Sequence, residues 1–135
     1  TGKNNEIFIS ISGSPKYGDG EGQAKKSGAW RDGMYQVFDD IDKVYKDFVV
    51  FSDEQANDII NFLEKYHKST EKVDLIVHCF AGISRSAAIA LFADEVYTSE
   101  KNRRLNNYSV YNKLVYSKLR MNYQTNILKV QPYEG

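Results

Sequence analysis

Val73-Asp74-Leu75-Ile76-Val77-His78-Cys79-Phe80-Ala81-Gly82-Ile83-Ser84-Arg85-Ser86-Ala87-Ala88-Ile89-Ala90 is the stretch on which the fold turns. Val73 to Val77 is a short, mostly apolar run, of the kind found in a strand inside a sheet covered on both faces. Ser86 to Tyr97 is alanine-rich and apolar nearly all round, which predicts a buried helix. A strand therefore delivers a cysteine into a tight loop that opens a helix. A helix N-terminus presents unpaired backbone N–H groups and the positive end of a dipole. Such a junction is an anion site, and this one carries a thiol and a guanidinium.

Upstream, Glu6 to Ser12 (EIFISIS) places Ile7, Ile9 and Ile11 at strand spacing and reads as a well-buried strand. Residues 13–28, with five glycines and one proline among polar residues, read as a loop. A loop of that length is uncommon in a compact domain and is often functional. Its glycines do not form a GxxxxGK[ST] phosphate loop. Trp30 reads as an anchor for this loop, while Lys25, Lys26 and Arg31 read as solvated charges. Met34 to Phe38 predicts a second strand, running into an acidic corner at Asp39, Asp40, Ile41 and Asp42. Residues 43–51 fit either a strand or an extended loop packed on the core.

Ser52 then supplies an N-cap, with Asp53 and Glu54 in the first turn and Gln55 completing a capping box. Ala56, Ile59, Ile60 and Leu63 recur at helical spacing and predict a helix through Lys68, with a turn over residues 69–72. His67 reads as a helix-end residue. Downstream, residues 98–107 are polar and basic, including Arg103 and Arg104. Residues 108–119 return to helical spacing, and residues 121–128 add a further turn or short helix. The tail, residues 129–135, reads as surface chain. Strands and helices alternate around the cysteine loop, so the expected fold is α/β. It is a single domain over residues 1–135 with a mainly parallel central sheet flanked by helices.

The chemistry follows from the spacing. Cys79 and Arg85 bracket five residues, enough backbone to wrap a tetrahedral oxyanion. N–H groups from Phe80, Ala81, Gly82, Ile83, Ser84 and Arg85 can converge on its oxygens. The Arg85 guanidinium can close the cradle with a bidentate pair. Gly82 sits mid-loop, where a residue without Cβ suits close backbone approach or a positive φ. A thiolate is the nucleophilic form of cysteine, and the positive end of a helix favours it. Ser86 is placed to hydrogen-bond the sulfur.

HCFAGISRS, residues 78–86, resembles the HCxxGxxR[ST] signature of the protein tyrosine phosphatase superfamily, and its AGISRS portion is similar to the dual-specificity branch. At ordinary residue frequencies, a chance match at these offsets in such a chain is on the order of 10⁻⁵. The resemblance is strong over residues 73–92 and weak elsewhere. It implies a phosphatase with Cys79 as nucleophile, Arg85 as phosphate clamp and Ser86 as the hydroxyl that assists breakdown of a cysteinyl-phosphate. His78 would be a structural partner that orients the loop by hydrogen bonding. The family also uses an aspartic acid, upstream of the cysteine and after a strand, as general acid. Asp40 in VFDDI is similar to that pattern, although its spacing to Cys79 is long. Asp39, Asp42 and Asp47 are the alternatives, and Asp53 is better explained as a first-turn helix acid. The chain resembles a compact dual-specificity-like, bacterial or phage-type member. The implied substrate is phosphotyrosine on proteins or a small phosphomonoester, with dual specificity as the alternative, and no metal or other cofactor is implied.

Composition bounds the rivals. Eighteen basic and eighteen acidic side chains cancel, which gives no broad basic surface for nucleic acid and weighs against an RNA 5′-phosphate substrate. Residues 80–84 contain no lysine, which weakens the comparison with phosphoinositide phosphatases. The single cysteine excludes an internal disulfide and reads as a reduced intracellular thiol. No apolar run approaches the roughly 18 residues that span a bilayer, and residues 1–12 lack a signal-peptide pattern. The expected location is cytoplasmic, away from membranes; nothing speaks to oligomeric state. A phosphate-binding pseudophosphatase and a sulfurtransferase remain as other classes. A buried structural cysteine in a strand-to-helix turn is the bland reading of the motif.

Overall fold

The computed structural model describes residues 5–14, 30–69, 72–79, 84–98 and 110–129. Among these residues the chain forms three parallel strands and three helices, a small α/β domain. The strands are β1 (Glu6–Ser12), β2 (Asp32–Val37) and β3 (Asp74–Cys79), and the sheet order is β2-β1-β3. The helices are α1 (Asp53–His67), α2 (Ser84–Tyr97) and α3 (Lys113–Asn126).

β1 occupies the centre and is buried over six of its seven positions, Ile7 to Ser12. The unbroken burial expected of the 73–77 run belongs to β1 instead. In β3, Ile76 and His78 are exposed while Leu75 and Val77 are half-buried. The reason is position: among the described strands β3 pairs only with β1, so it alternates like an edge strand. Ile9 and Ile11 register with Val77 and Cys79 on one face of the sheet. That face packs on Ala56, Ile59, Ile60 and Leu63 of α1, Ala88, Ile89 and Phe92 of α2, and Val115 and Leu119 of α3. The opposite face carries Phe8, whose ring lies over Gly33 of β2. A Cβ at Gly33 would stand 2.0 Å from Phe8 Cε2, so only glycine fits there. Trp30 and Tyr35 meet the same ring edge-on, at 5.2 and 5.3 Å between centroids, so Trp30 packs on β1.

β2 begins two residues earlier than the apolar pattern predicts, because Asp32 and Gly33 pair with Ile7 and Phe8. Residues 43–51 form neither helix nor strand. Asp39 N donates to Val49 O at 2.7 Å and Val49 N to Asp39 Oδ2 at 2.7 Å, pinning this segment as a loop. Phe51 at its end is fully buried against Phe38, with ring centroids 4.7 Å apart.

The start of α1 forms as its sequence predicts. Ser52 Oγ accepts from Gln55 N at 3.0 Å, and Gln55 Oε1 accepts from Ser52 N at 3.1 Å. Two helix boundaries differ from the sequence reading. α2 starts at Ser84 rather than Ser86, which puts Arg85 and Ser86 in its first turn. α3 starts at Lys113 rather than near Tyr108 and continues through Asn126 as one helix. Asn112 decides that start, since its Oδ1 accepts from Val115 N at 3.1 Å and caps the helix. No helix among the described residues is long and apolar enough to cross a membrane.

Candidate active site

The carboxyl ends of the three parallel strands lie together, since Ser12 registers with Val37 and Ile11 with Cys79. Ligands of open α/β sheets bind outside this end. Cys79 is the last residue of β3, and four residues separate it from the first turn of α2. Those four, Phe80, Ala81, Gly82 and Ile83, expected to line an oxyanion cradle, lie outside the described residues.

Both ends are well ordered by contacts. Cys79 is buried, 6% exposed, with its Sγ 3.2 Å from Ser86 Oγ in a hydrogen bond that the thiol donates. When the sulfur is an anion the same pair works in reverse, with the serine hydroxyl donating. Arg85 is buried to the same degree, 5% exposed. Its Nη1 donates to the carbonyl oxygen of Phe38 at 3.0 Å, while its Nε is buried with no hydrogen-bond acceptor among the described residues. The guanidinium is thereby held against the end of β2. A guanidinium is a planar fork of donors, the geometry that suits an oxyanion.

The acidic corner follows Phe38 directly, and its two aspartates are used differently. Asp39 is 4% exposed. Its Oδ1 accepts from Ser14 N at 2.9 Å and from Ser14 Oγ at 3.3 Å, and its Oδ2 accepts from Val49 N at 2.7 Å. It braces the loops that follow β1 and β2. Asp40 is exposed and turns to the helix: its Oδ1 accepts from Ser84 Oγ at 3.0 Å and from Asn112 Nδ2 at 2.9 Å. Ser84 is the residue immediately before Arg85. The corner and the start of α2 are therefore joined twice, through Ser84 to Asp40 and through Arg85 to Phe38. Asp42 and Asp47 are exposed, and Asp47 adopts a left-handed backbone (φ 69°), a conformation aspartate tolerates better than most residues.

A cleft of about 580 Å³ opens beside Asp40. Ser84, Asp42, Tyr45, Phe48, Tyr111 and Lys113 are among the residues that line it. Cys79 is not among its lining residues, whereas Ser84, which precedes Arg85, is.

His78 stands apart from the constellation. It registers with Ser10 on the sheet face opposite Cys79, and its side chain is exposed. Strand alternation sends adjacent residues to opposite faces, so His78 and Cys79 cannot share one. Residues 15–28, with Lys25 and Lys26, lie outside the described residues, as do Arg103, Arg104 and the tail beyond Lys129.

Asn112 is the residue that the sequence analysis passes over. A signal for it exists: asparagine is among the strongest N-cap residues, and the apolar spacing of Val115 and Leu119 begins three residues later. Ser84 was expected to contribute a backbone N–H and contributes its side chain to Asp40 as well.

The chain matches the protein-tyrosine phosphatase family over residues 49–129, more than half of its length. The match takes in α1, β3, the cysteine loop, α2 and α3. The chain belongs to the protein tyrosine phosphatase superfamily. No curated protein and no solved structure matches it.

Proposed function

We propose that this protein is a cysteine-dependent phosphatase that hydrolyses phosphomonoesters, with phosphotyrosine in proteins as its preferred substrate. The observation that carries this reading is the Cys79–Ser86 contact at 3.2 Å, beside a buried Arg85 in the first turn of α2. Nucleophile, clamp and leaving-group donor to sulfur meet at one strand-to-helix junction.

In the first step the Cys79 sulfur anion attacks phosphorus and the P–O bond to the leaving group breaks. Asp40 transfers its proton to the departing oxygen. Arg85 and the N–H groups at the start of α2 hold the equatorial oxygens where charge is greatest. In the second step Asp40 takes a proton from water as the water oxygen attacks phosphorus. The S–P bond breaks, inorganic phosphate leaves, and the Ser86 hydroxyl stabilises the sulfur anion. Protons balance over the cycle, since Asp40 gives one and regains one.

The cleft supports an aryl leaving group. Tyr45, Phe48 and Tyr111 offer ring faces and edges next to Asp40, suited to a phenol ring. Among the described residues, Asp40 and Asp42 set two carboxylates against Lys113 in that lining, which disfavours polyanionic substrates such as phosphoinositides or RNA ends.

Turnover of p-nitrophenyl phosphate and of a phosphotyrosine peptide tests the reading. Cys79→Ser should abolish both while retaining binding of the peptide. A Cys79→Ser protein with near-normal turnover would sink the mechanism. A wild-type protein that binds the peptide and turns over nothing would be a phosphate-binding pseudoenzyme. Faster turnover of phosphoserine than phosphotyrosine peptides would reject the substrate choice alone.

A further inference from the structure

We propose that Asn112 is a positioning residue that orients the proton of Asp40 toward the leaving group. The proposal rests on the reading of Asp40 as the general acid.

Every polar group of Asn112 is committed. Its Nδ2 donates to Asp40 Oδ1 at 2.9 Å and to Ile41 O at 3.1 Å. Its Oδ1 accepts from Val115 N at 3.1 Å, its backbone N donates to Ser84 O at 3.0 Å, and its carbonyl accepts from Tyr116 N at 3.1 Å. It is 6% exposed. A single residue thus ties together the acidic corner through its side chain, the first residue of α2 through its backbone N–H, and the start of α3 through its cap.

The consequence concerns which oxygen of Asp40 carries the proton. Oδ1 accepts two hydrogen bonds, from Ser84 and from Asn112. An oxygen occupied by two donors is the carbonyl-type oxygen of a carboxylic acid, so the O–H sits on Oδ2. No described residue donates to Oδ2, which leaves it for the substrate. The two donors come from different helices, α2 and the cap of α3, so Oδ1 is held from two sides. A general acid works only when its proton lies within hydrogen-bond reach of the departing oxygen. Loss of one holder lets the carboxyl rotate, and the loss grows with the need for protonation.

Leaving-group dependence separates this role from a structural one. Asn112→Ser retains an N-cap acceptor for Val115 and removes the amide donor to Asp40. The readout is kcat/KM on phenyl phosphate, a poor leaving group, and on 2,4-dinitrophenyl phosphate, which departs without a proton. The loss on phenyl phosphate should exceed that on 2,4-dinitrophenyl phosphate at least about tenfold, part of the 10²–10⁴ that acid catalysis supplies. Iodoacetate alkylation of Cys79 should proceed at the wild-type rate. Ser84→Ala, which removes the other donor to Oδ1, should skew the two substrates in the same sense and serves alone if Asn112→Ser does not fold. Parallel losses on both substrates, or none on either, overturn the proposal. Asp40→Asn run alongside distinguishes the two ideas. If it skews the substrates and Asn112→Ser does not, only the positioning role falls. If Asp40→Asn shows no skew, the acid lies elsewhere and the positioning role falls with it.

Discussion

Asp39 turns both carboxylate oxygens inward onto amide nitrogens of Ser14 and Val49, whereas Asp40 offers one oxygen to Ser84 and Asn112. Substituting the two residues should separate stability from rate. Asparagine at position 39 would set an N–H₂ against an amide donor that a carboxylate now satisfies, and hydrogen bonds to charged groups contribute about 1.5–3 kcal/mol each. Asp39→Asn should therefore lower unfolding stability by about 2 kcal/mol, as denaturant titration would register. Asp40→Asn keeps an acceptor at an exposed site and should leave the midpoint within about 0.5 kcal/mol, while kcat/KM for phenyl phosphate drops about 10²-fold or more. The reverse pattern, a stable but inactive Asp39→Asn, would move the acid to Asp39.

At the scale of elements, α1 is clasped to β2 at both ends. Gln55 of the capping box donates through Nε2 to Gln36 Oε1 and to Val37 O, both at 3.0 Å. At the other end, Tyr66 Oη donates to Asp32 Oδ2 at 2.6 Å, and Lys65 Nζ lies 3.5 Å from the same oxygen. Burial works against the Asp32 charge. The hydrogen bonds from Tyr66 and Gly33 N, with the Lys65 ammonium, outweigh it and hold the carboxyl below its ordinary value. The partner responds in the opposite sense: burial and the Asp32 carboxylate push the Tyr66 hydroxyl up to about 12. A carboxyl that ionises more easily when folded stabilises the native state above its unfolded value of 3.8, and that contribution is lost as pH falls through the lower folded value. Tyr66→Phe removes the strongest favourable partner. The stability gap between wild type and Tyr66→Phe should be largest near neutral pH and should shrink as pH falls below 3.8. Thermal melts across that range measure it, and a gap independent of pH would show that the clasp is not electrostatic. Element existence was largely legible: β1 and the capped start of α1 lie where the periodicity and the Ser52–Gln55 pair predict. The start of α3 was not, because the apolar spacing extends upstream of the cap and Asn112 ends it only by turning its side chain back on Val115.

For the molecule as a whole, the parallel sheet brings three strand ends, the acidic corner and the starts of α2 and α3 together at one end, the place proposed for the substrate oxyanion. An oxyanion bound there stabilises the native state by linkage, about 2.7 kcal/mol at one hundred times its dissociation constant. Vanadate should raise the melting temperature of the wild-type protein, and Arg85→Ala should abolish most of the shift. A shift that survives Arg85→Ala would place the anion elsewhere. The family was readable from the chain alone, because the residues that carry the resemblance, Cys79 to Ser86, are close neighbours in sequence, and the structure places Cys79 and Ser86 in contact. The partners of that motif were not. Asp40 lies 44 residues from Ser84 and Asn112 lies 72 residues from Asp40. Periodicity and capping report on neighbours a few residues apart, and four aspartates between positions 39 and 47 look alike at that range. Only the crossing of α1 between β2 and β3, and the return of the chain at the cap of α3, brings one of them, Asp40, onto Ser84 and Asn112.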